Sequence, residues 1–197
     1  MQMVFLLILI GAGSRLITLP HGLSLTVAMI LLAAAYLDWK RAMVVALGTM
    51  ILGDALTGFH SMIPWTWTGA LLMAQVAWMF FGVGADLRVR PEGHTHRCAP
   101  TYPKVAIASI ISLTVFHLWS NFGVWVMGNC LGGERMYSAT LAGLIGVYQA
   151  GWSYYLYSIG GNLIITTVAF VIARKLFGIS VVGEKKGMRL QEQIDTP

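Results

Sequence analysis

Gly53-Asp54-Ala55-Leu56-Thr57-Gly58-Phe59-His60 closes an apolar run, Ala42 to Phe59, whose composition is that of a membrane-spanning helix. Asp54 falls roughly one and a half helical turns inside the end of that run. A carboxylate at such a depth costs about 2.5–3.5 kcal/mol on insertion scales, so it needs a partner, a cavity or a task. How this segment is read decides how the rest of the chain is read.

The surrounding composition agrees with a membrane setting. Of 197 residues, 57% are hydrophobic and only 11% charged, with mean hydropathy +0.71, whereas a soluble domain carries about 25% charged residues. The length suits one bundle with short loops and leaves no room for a separate soluble domain. The formal charge of +5 does not point to nucleic acid, because the basic residues gather at helix ends and in the tail. Cys98 and Cys130 make neither a Cys-x-x-Cys nor a zinc spacing, and the topology below puts them on opposite faces, against a disulfide.

Outward from the opening stretch, the pattern predicts six spans. Met3 to Thr18 is the first. It lacks the basic n-region and small-x-small site of a signal peptide. Leu19-Pro20-His21-Gly22 is a turn, Leu23 to Leu37 the second span, and Asp38-Trp39-Lys40-Arg41 a tight charged loop. Ala42 to Phe59 is the third span and Trp65 to Gly84 the fourth. Residues 86–102 form the longest polar stretch. Pro103 opens the fifth span, in a first turn where its missing N–H matters least, and that span runs to about Met127. Residues 138–151 are too short for a crossing and read as an interfacial or re-entrant helix. Tyr154 to Leu176 is the last span. The expected organisation is therefore all-α: a six-helix membrane domain over 1–176 and a polar cytoplasmic tail over 177–197.

With both termini in the cytoplasm, Lys40, Arg41, Arg88, Arg90, Arg97, Lys104, Arg174, Lys175, Lys185, Lys186 and Arg189 all lie inside, eleven of the thirteen basic residues. That asymmetry supports the helix count and an inner-membrane orientation. A seventh crossing would put the basic tail outside.

Depth follows from topology. Arg15, His21, Asp54 and His60 fall at or near the outer ends of their spans. His117 and Asn121 share one face in the outer half of the fifth span, at i, i+4 spacing. Trp125 lies near the outer end of the fifth span, Gln149 lies before the last span, which begins outside, and Asn162 lies nearer mid-membrane. Aromatic residues surround these groups. A few polar groups within apolar walls would suit an outward pocket for a small organic solute. Each has a plainer alternative: Arg15 snorkelling, Asp54 paired with Arg15, His117 and Asn121 bonded between helices, and the aromatics forming an interfacial belt. His94-x-His96 faces the cytoplasm without a third ligand and reads as solvated loop. No Gly-x-Ser-x-Gly, His-Glu-x-x-His or nucleotide loop occurs. Asp54 is the only acid within the spans, so no carboxylate pair exists there. Neither catalytic residues, metal nor cofactor are expected, and transport could not be coupled to ATP by this chain alone.

Gly53-Asp54, Gly58-Phe59-His60, Ser120-Asn121-Phe122-Gly123-Val124-Trp125 and a tyrosine-rich last span resemble an uncharacterised family of small bacterial proteins assigned to transport. That family is similar in architecture to the substrate-binding (S) components of energy-coupling factor transporters. The resemblance covers roughly residues 11–176. It implies a six-helix bundle that binds a vitamin-like molecule from outside and docks on a separate membrane scaffold carrying two ATPases. Where many S components carry an Ala-x-x-x-Ala docking face, this chain has Gly11-Ala12-Gly13-Ser14. The expected function is a membrane component for uptake of a vitamin- or cofactor-like solute. The alternative is a non-transporting interaction or assembly protein with structural polar residues. A membrane enzyme using His60 or His117 as acid or base is the third possibility.

Overall fold

Asp38 begins the helix that carries the opening stretch. Its backbone is extended and its carboxylate accepts the Arg41 amide at 3.0 Å, satisfying one of the N–H groups that a helix start leaves unpaired. The Arg41 guanidinium returns to the same carboxylate at 3.1 Å. Asp38–Arg41, expected as a loop, is therefore the cap and first turn of a helix. At the other end Gly58 has φ 104° and its amide donates to the Asp54 carbonyl at 2.8 Å. A residue with a Cβ would be strained there.

The computed structural model describes residues 1–17, 23–82, 100–130 and 136–177. Within them the chain is all helical, as expected. It forms α1 (Gln2–Gly13, followed by a 3-10 turn, Ser14–Leu16), α2 (Leu25–Tyr36), α3 (Trp39–Thr57), α4 (Ile63–Gly82), α5 (Tyr102–Cys130) and α6 (Leu141–Phe177). Pro64 and Pro103 sit in the first turns of α4 and α5, where proline is tolerated. His21, Cys98, the His94-x-His96 loop and the tail from 178 lie outside the described residues.

A second expectation is corrected. The short helix expected over 138–151 and the span expected from Tyr154 are a single continuous element, Leu141–Phe177. No proline interrupts this segment. Its glycines cost at most about 1 kcal/mol each in a helix interior, too little to break it, though they dilute its apolar pattern. Two of them admit neighbours: Gly143 lies under Ser138, and Gly151 lies against Asn121 and His117.

α2 is central. Nine of its twelve residues are buried, matching a helix that is apolar all round. α1, α3, α4, α5 and α6 form an arc around it, each packed on the next in the order α1–α3–α4–α5–α6. Residue pairs give the directions. Ile8 meets Gly48, and Gly11 meets Thr49, so α1 and α3 run parallel. Trp65 meets Gly123 while Lys104 reaches the Phe81 carbonyl at 3.5 Å, so α4 and α5 are antiparallel. Between α1 and α6, across α2, an apolar groove of about 350 Å³ remains, lined by side chains such as Leu7, Met29 and Val168.

The two ends of the bundle differ chemically. One gathers Lys40, Arg41, Lys104, Arg174 and Lys175 at the ends of their helices. There Arg174 donates to the Pro100 carbonyl and lies 4.3 Å over the Tyr102 ring. Phe170, fully buried, stands between Tyr36 (5.7 Å) and Phe81 (6.0 Å). The opposite end carries Arg15 as its one basic side chain among the described residues, together with most of the polar and aromatic groups singled out above. Among the described residues two helices are long and apolar enough to cross a membrane, over Tyr102–Met127 and Leu141–Leu176; Gln2–Leu16 and Leu25–Tyr36 are apolar but shorter.

Candidate functional site

The less basic end holds a buried ion pair. Asp54, in the last turn of α3, has no exposed surface, and its Oδ1 lies 2.5 Å from Nη1 of Arg15. Arg15 comes from the 3-10 turn after α1, which carries its guanidinium across to α3. It can reach because α3 has Gly53 at the crossing: a Cβ there would stand 2.6 Å from Cδ of Arg15 and 2.8 Å from its Nη1. The second carboxylate oxygen, Oδ2, accepts the indole N–H of Trp67 from α4 at 2.6 Å. His60 approaches Oδ1 only to 3.8 Å through Nε2, outside hydrogen-bond range. Arg15, Asp54 and His60 are thus brought together as the sequence suggested. Trp67 and Gly53 complete the group.

A second polar cluster lies between α5 and α6. His117 and Asn121 share one face of α5. Asn121 Nδ2 donates to the His117 carbonyl at 2.8 Å and lies 3.0 Å from His117 Nδ1. The His117 ring stacks on Tyr155 at 4.5 Å between centroids, with 29° between planes. The Tyr155 hydroxyl is 2.6 Å from Thr114 Oγ1, and Tyr148 donates to the Leu118 carbonyl at 2.9 Å. Gly151 makes the approach possible, since a Cβ would meet Asn121 Oδ1 at 2.7 Å.

In the arc, an aromatic group on α4 and α5 stands between the two clusters. Trp65 packs on Trp119 at 5.1 Å and on Phe122 at 5.7 Å, and Phe122 packs on Trp125 at 5.8 Å. The Trp119 indole donates to Thr68 at 2.8 Å. Trp65 lies directly over Gly123, which fills the place a side chain would take. A surface cavity of about 360 Å³ opens beside this group, lined by Leu72, Val115, Leu118, Trp119, Phe122 and Tyr148.

The remaining expected site residues are dispersed. Trp125 donates to the Ser138 carbonyl at 3.0 Å and belongs to the aromatic group. Gln149 is exposed on α6. Asn162 is fully buried further along α6 and donates to the Ser158 carbonyl at 2.8 Å. His21 lies outside the described residues. The polar groups therefore divide into two clusters flanking aromatic side chains.

Trp67 and Tyr155 were expected only as part of the aromatic surround, with no individual role, and Thr114 was not singled out from the sequence. Trp67 carries an N–H donor one hairpin away from a buried carboxylate, and that is the signal that could have found it. Tyr155 gives no such signal, because its partners arrive from α5. Among the described residues no three side chains of metal-ligating type converge.

Comparison with curated proteins and with solved structures gives no match at a significant level. Residues 1–179 match the model of a family described as "Family of unknown function (DUF6580)", and the chain belongs to that family.

Proposed function

We propose that this chain is a multi-pass inner-membrane protein of six crossings, with both termini cytoplasmic, that binds a small vitamin- or cofactor-like solute from the outer face for uptake. The observation that carries the reading is the buried Arg15–Asp54–Trp67 network at the less basic end of the bundle. An ion pair costs several kcal/mol to desolvate, and intramembrane ionisable groups mark functional sites by default.

The membrane setting is supported by burial. In their most apolar windows, only 28% of Tyr102–Met127 and 22% of Leu141–Leu176 is covered by the rest of the chain. An apolar helix left uncovered by its own chain suits lipid. α3 and α4, with 19 and 20 residues, would span about 30 Å at 1.5 Å per residue, the thickness of the hydrocarbon core. α2 is shorter; α1, α3, α4 and α6 pack on it, and its remaining apolar surface lines the groove between α1 and α6. The basic end would face the cytoplasm. The likeness to energy-coupling factor S components fits this arrangement and would add an ATPase-bearing scaffold as partner.

A second reading, an assembly protein with structural polar residues, draws on one observation: Asp54 has both oxygens engaged within the chain. Native mass spectrometry of the full chain, released from membranes in mild detergent, separates the two. The uptake reading expects a small organic mass retained by the wild type and lost on Arg15→Gln, with the variant still folded. The assembly reading expects no retained mass, and unfolding of the variant.

A further inference from the structure

We infer that Arg15 is the anchoring cation for an anionic group, a carboxylate or a phosphate, so that the solute taken by this end of the bundle is an organic anion. The inference rests on the outward solute site proposed above and narrows its ligand class.

Asp54 cannot serve as the contact. It has no exposed surface, Arg15 faces one oxygen at 2.5 Å, and Trp67 donates to the other at 2.6 Å. A cationic ligand would have to displace one of these partners to reach it. Arg15 Nη1 is buried against Asp54, so what remains for a ligand is the rest of the guanidinium. The Arg15 side chain keeps 26% of its surface exposed and His60 keeps 39%. A guanidinium carries five N–H donors in a planar fork that matches carboxylate and phosphate oxygens in pairs. Asp54 and the bare Gly53 surface hold that fork in place before any ligand arrives, which lowers the entropy lost on binding. Because Asp54 neutralises Arg15 overall, recognition is by short-range, charge-assisted hydrogen bonds rather than by net charge. The setting is also apolar. Leu16 and Ile17 follow Arg15 and Phe59 precedes His60, all at least 60% exposed. An acceptor group on an apolar body fits that edge.

The same chemistry could come from a free solute or from a lipid headgroup, and one experiment covers both. The full chain, labelled with 15N-arginine, is studied by NMR in maltoside micelles, with the Arg15 Nε signal assigned by its loss in Arg15→Lys. Benzoate, inorganic phosphate and benzylammonium are the soluble probes. Bicelles containing phosphatidylglycerol are compared with phosphatidylcholine alone. A saturable shift of the Arg15 signal with benzoate or phosphate, and none with benzylammonium, is the expected result. A shift produced by phosphatidylglycerol but by neither soluble anion also upholds the anion class, while contradicting uptake of a free solute. No shift with any anion, or an equal shift with benzylammonium, overturns the inference even if a solute is retained by the protein.

Discussion

Replacing Asp54 with Asn tests how the turn after α1, α3 and α4 are joined at the less basic end. The substitution keeps an oxygen for the Trp67 indole but removes the charge opposite Arg15. Removing one member of a buried ion pair costs about 3–5 kcal/mol. Arg15 retains 26% exposure and can turn its head toward water, so the expected loss lies lower, about 2–3 kcal/mol. In a chain of this size that corresponds to roughly 4–12 °C in Tm at about 2–4 °C per kcal/mol. Arg15→Gln should cost more, about 3–5 kcal/mol, because it strands a carboxylate with no exposed surface. The double variant should cost less than the two singles together, with a coupling of about 1–3 kcal/mol. The assay is thermal unfolding of all four proteins in one detergent, followed by near-UV circular dichroism. A loss under about 1 kcal/mol for Asp54→Asn, the range of an exposed pair, would refute the reasoning, and so would an additive cycle.

Three other outcomes follow from the packing. Gly123→Ala places a methyl on the Trp65 ring and should cost about 1–3 kcal/mol by overpacking, with a changed near-UV tryptophan signal. Phe170→Ala empties a fully buried site between Tyr36 and Phe81 and should lower stability by about 3–5 kcal/mol, measured by the same melting assay. Tyr155→Phe removes the hydroxyl that meets Thr114 at 2.6 Å and keeps the ring stacked on His117. Its cost should stay at about 0.5–1.5 kcal/mol, and a larger loss would mean that the hydroxyl supports more than one bond.

The all-helical class and the approximate positions of the helices were legible because apolar runs and their breakers are local signals. The Arg15–Asp54 pairing was legible for a related reason. Two rare charges at matching depth in apolar segments have few other partners. The continuity of α6 was not legible: the glycines that dilute its apolar pattern are the residues that let α5 approach at Gly151, a tertiary contact. The cap at Asp38 was hidden because Asp38-Trp39-Lys40-Arg41, with three charged residues in four, reads equally as a loop or as a helix start; only the bond from the Arg41 amide separates the two. Trp67 was missed because aromatic residues near a span end suggest an interfacial belt, and its role lies in one N–H. The division of the polar groups into two clusters depends on which helices neighbour each other in the arc, and periodicity does not carry that information.

The central claim is that α3 crosses a membrane with the Asp54 end outside. The direct measurement is labelling of single cysteines at Lys40→Cys and Ser61→Cys, in a chain with Cys98 and Cys130 replaced by serine, using a membrane-impermeant maleimide on intact cells. These positions lie at opposite ends of α3, Lys40 in its first turn and Ser61 just beyond Thr57. Labelling of Ser61→Cys in intact cells, with Lys40→Cys labelled only after permeabilisation, is the predicted result. Equal labelling of both positions, or labelling of Lys40→Cys alone from outside, would contradict the account.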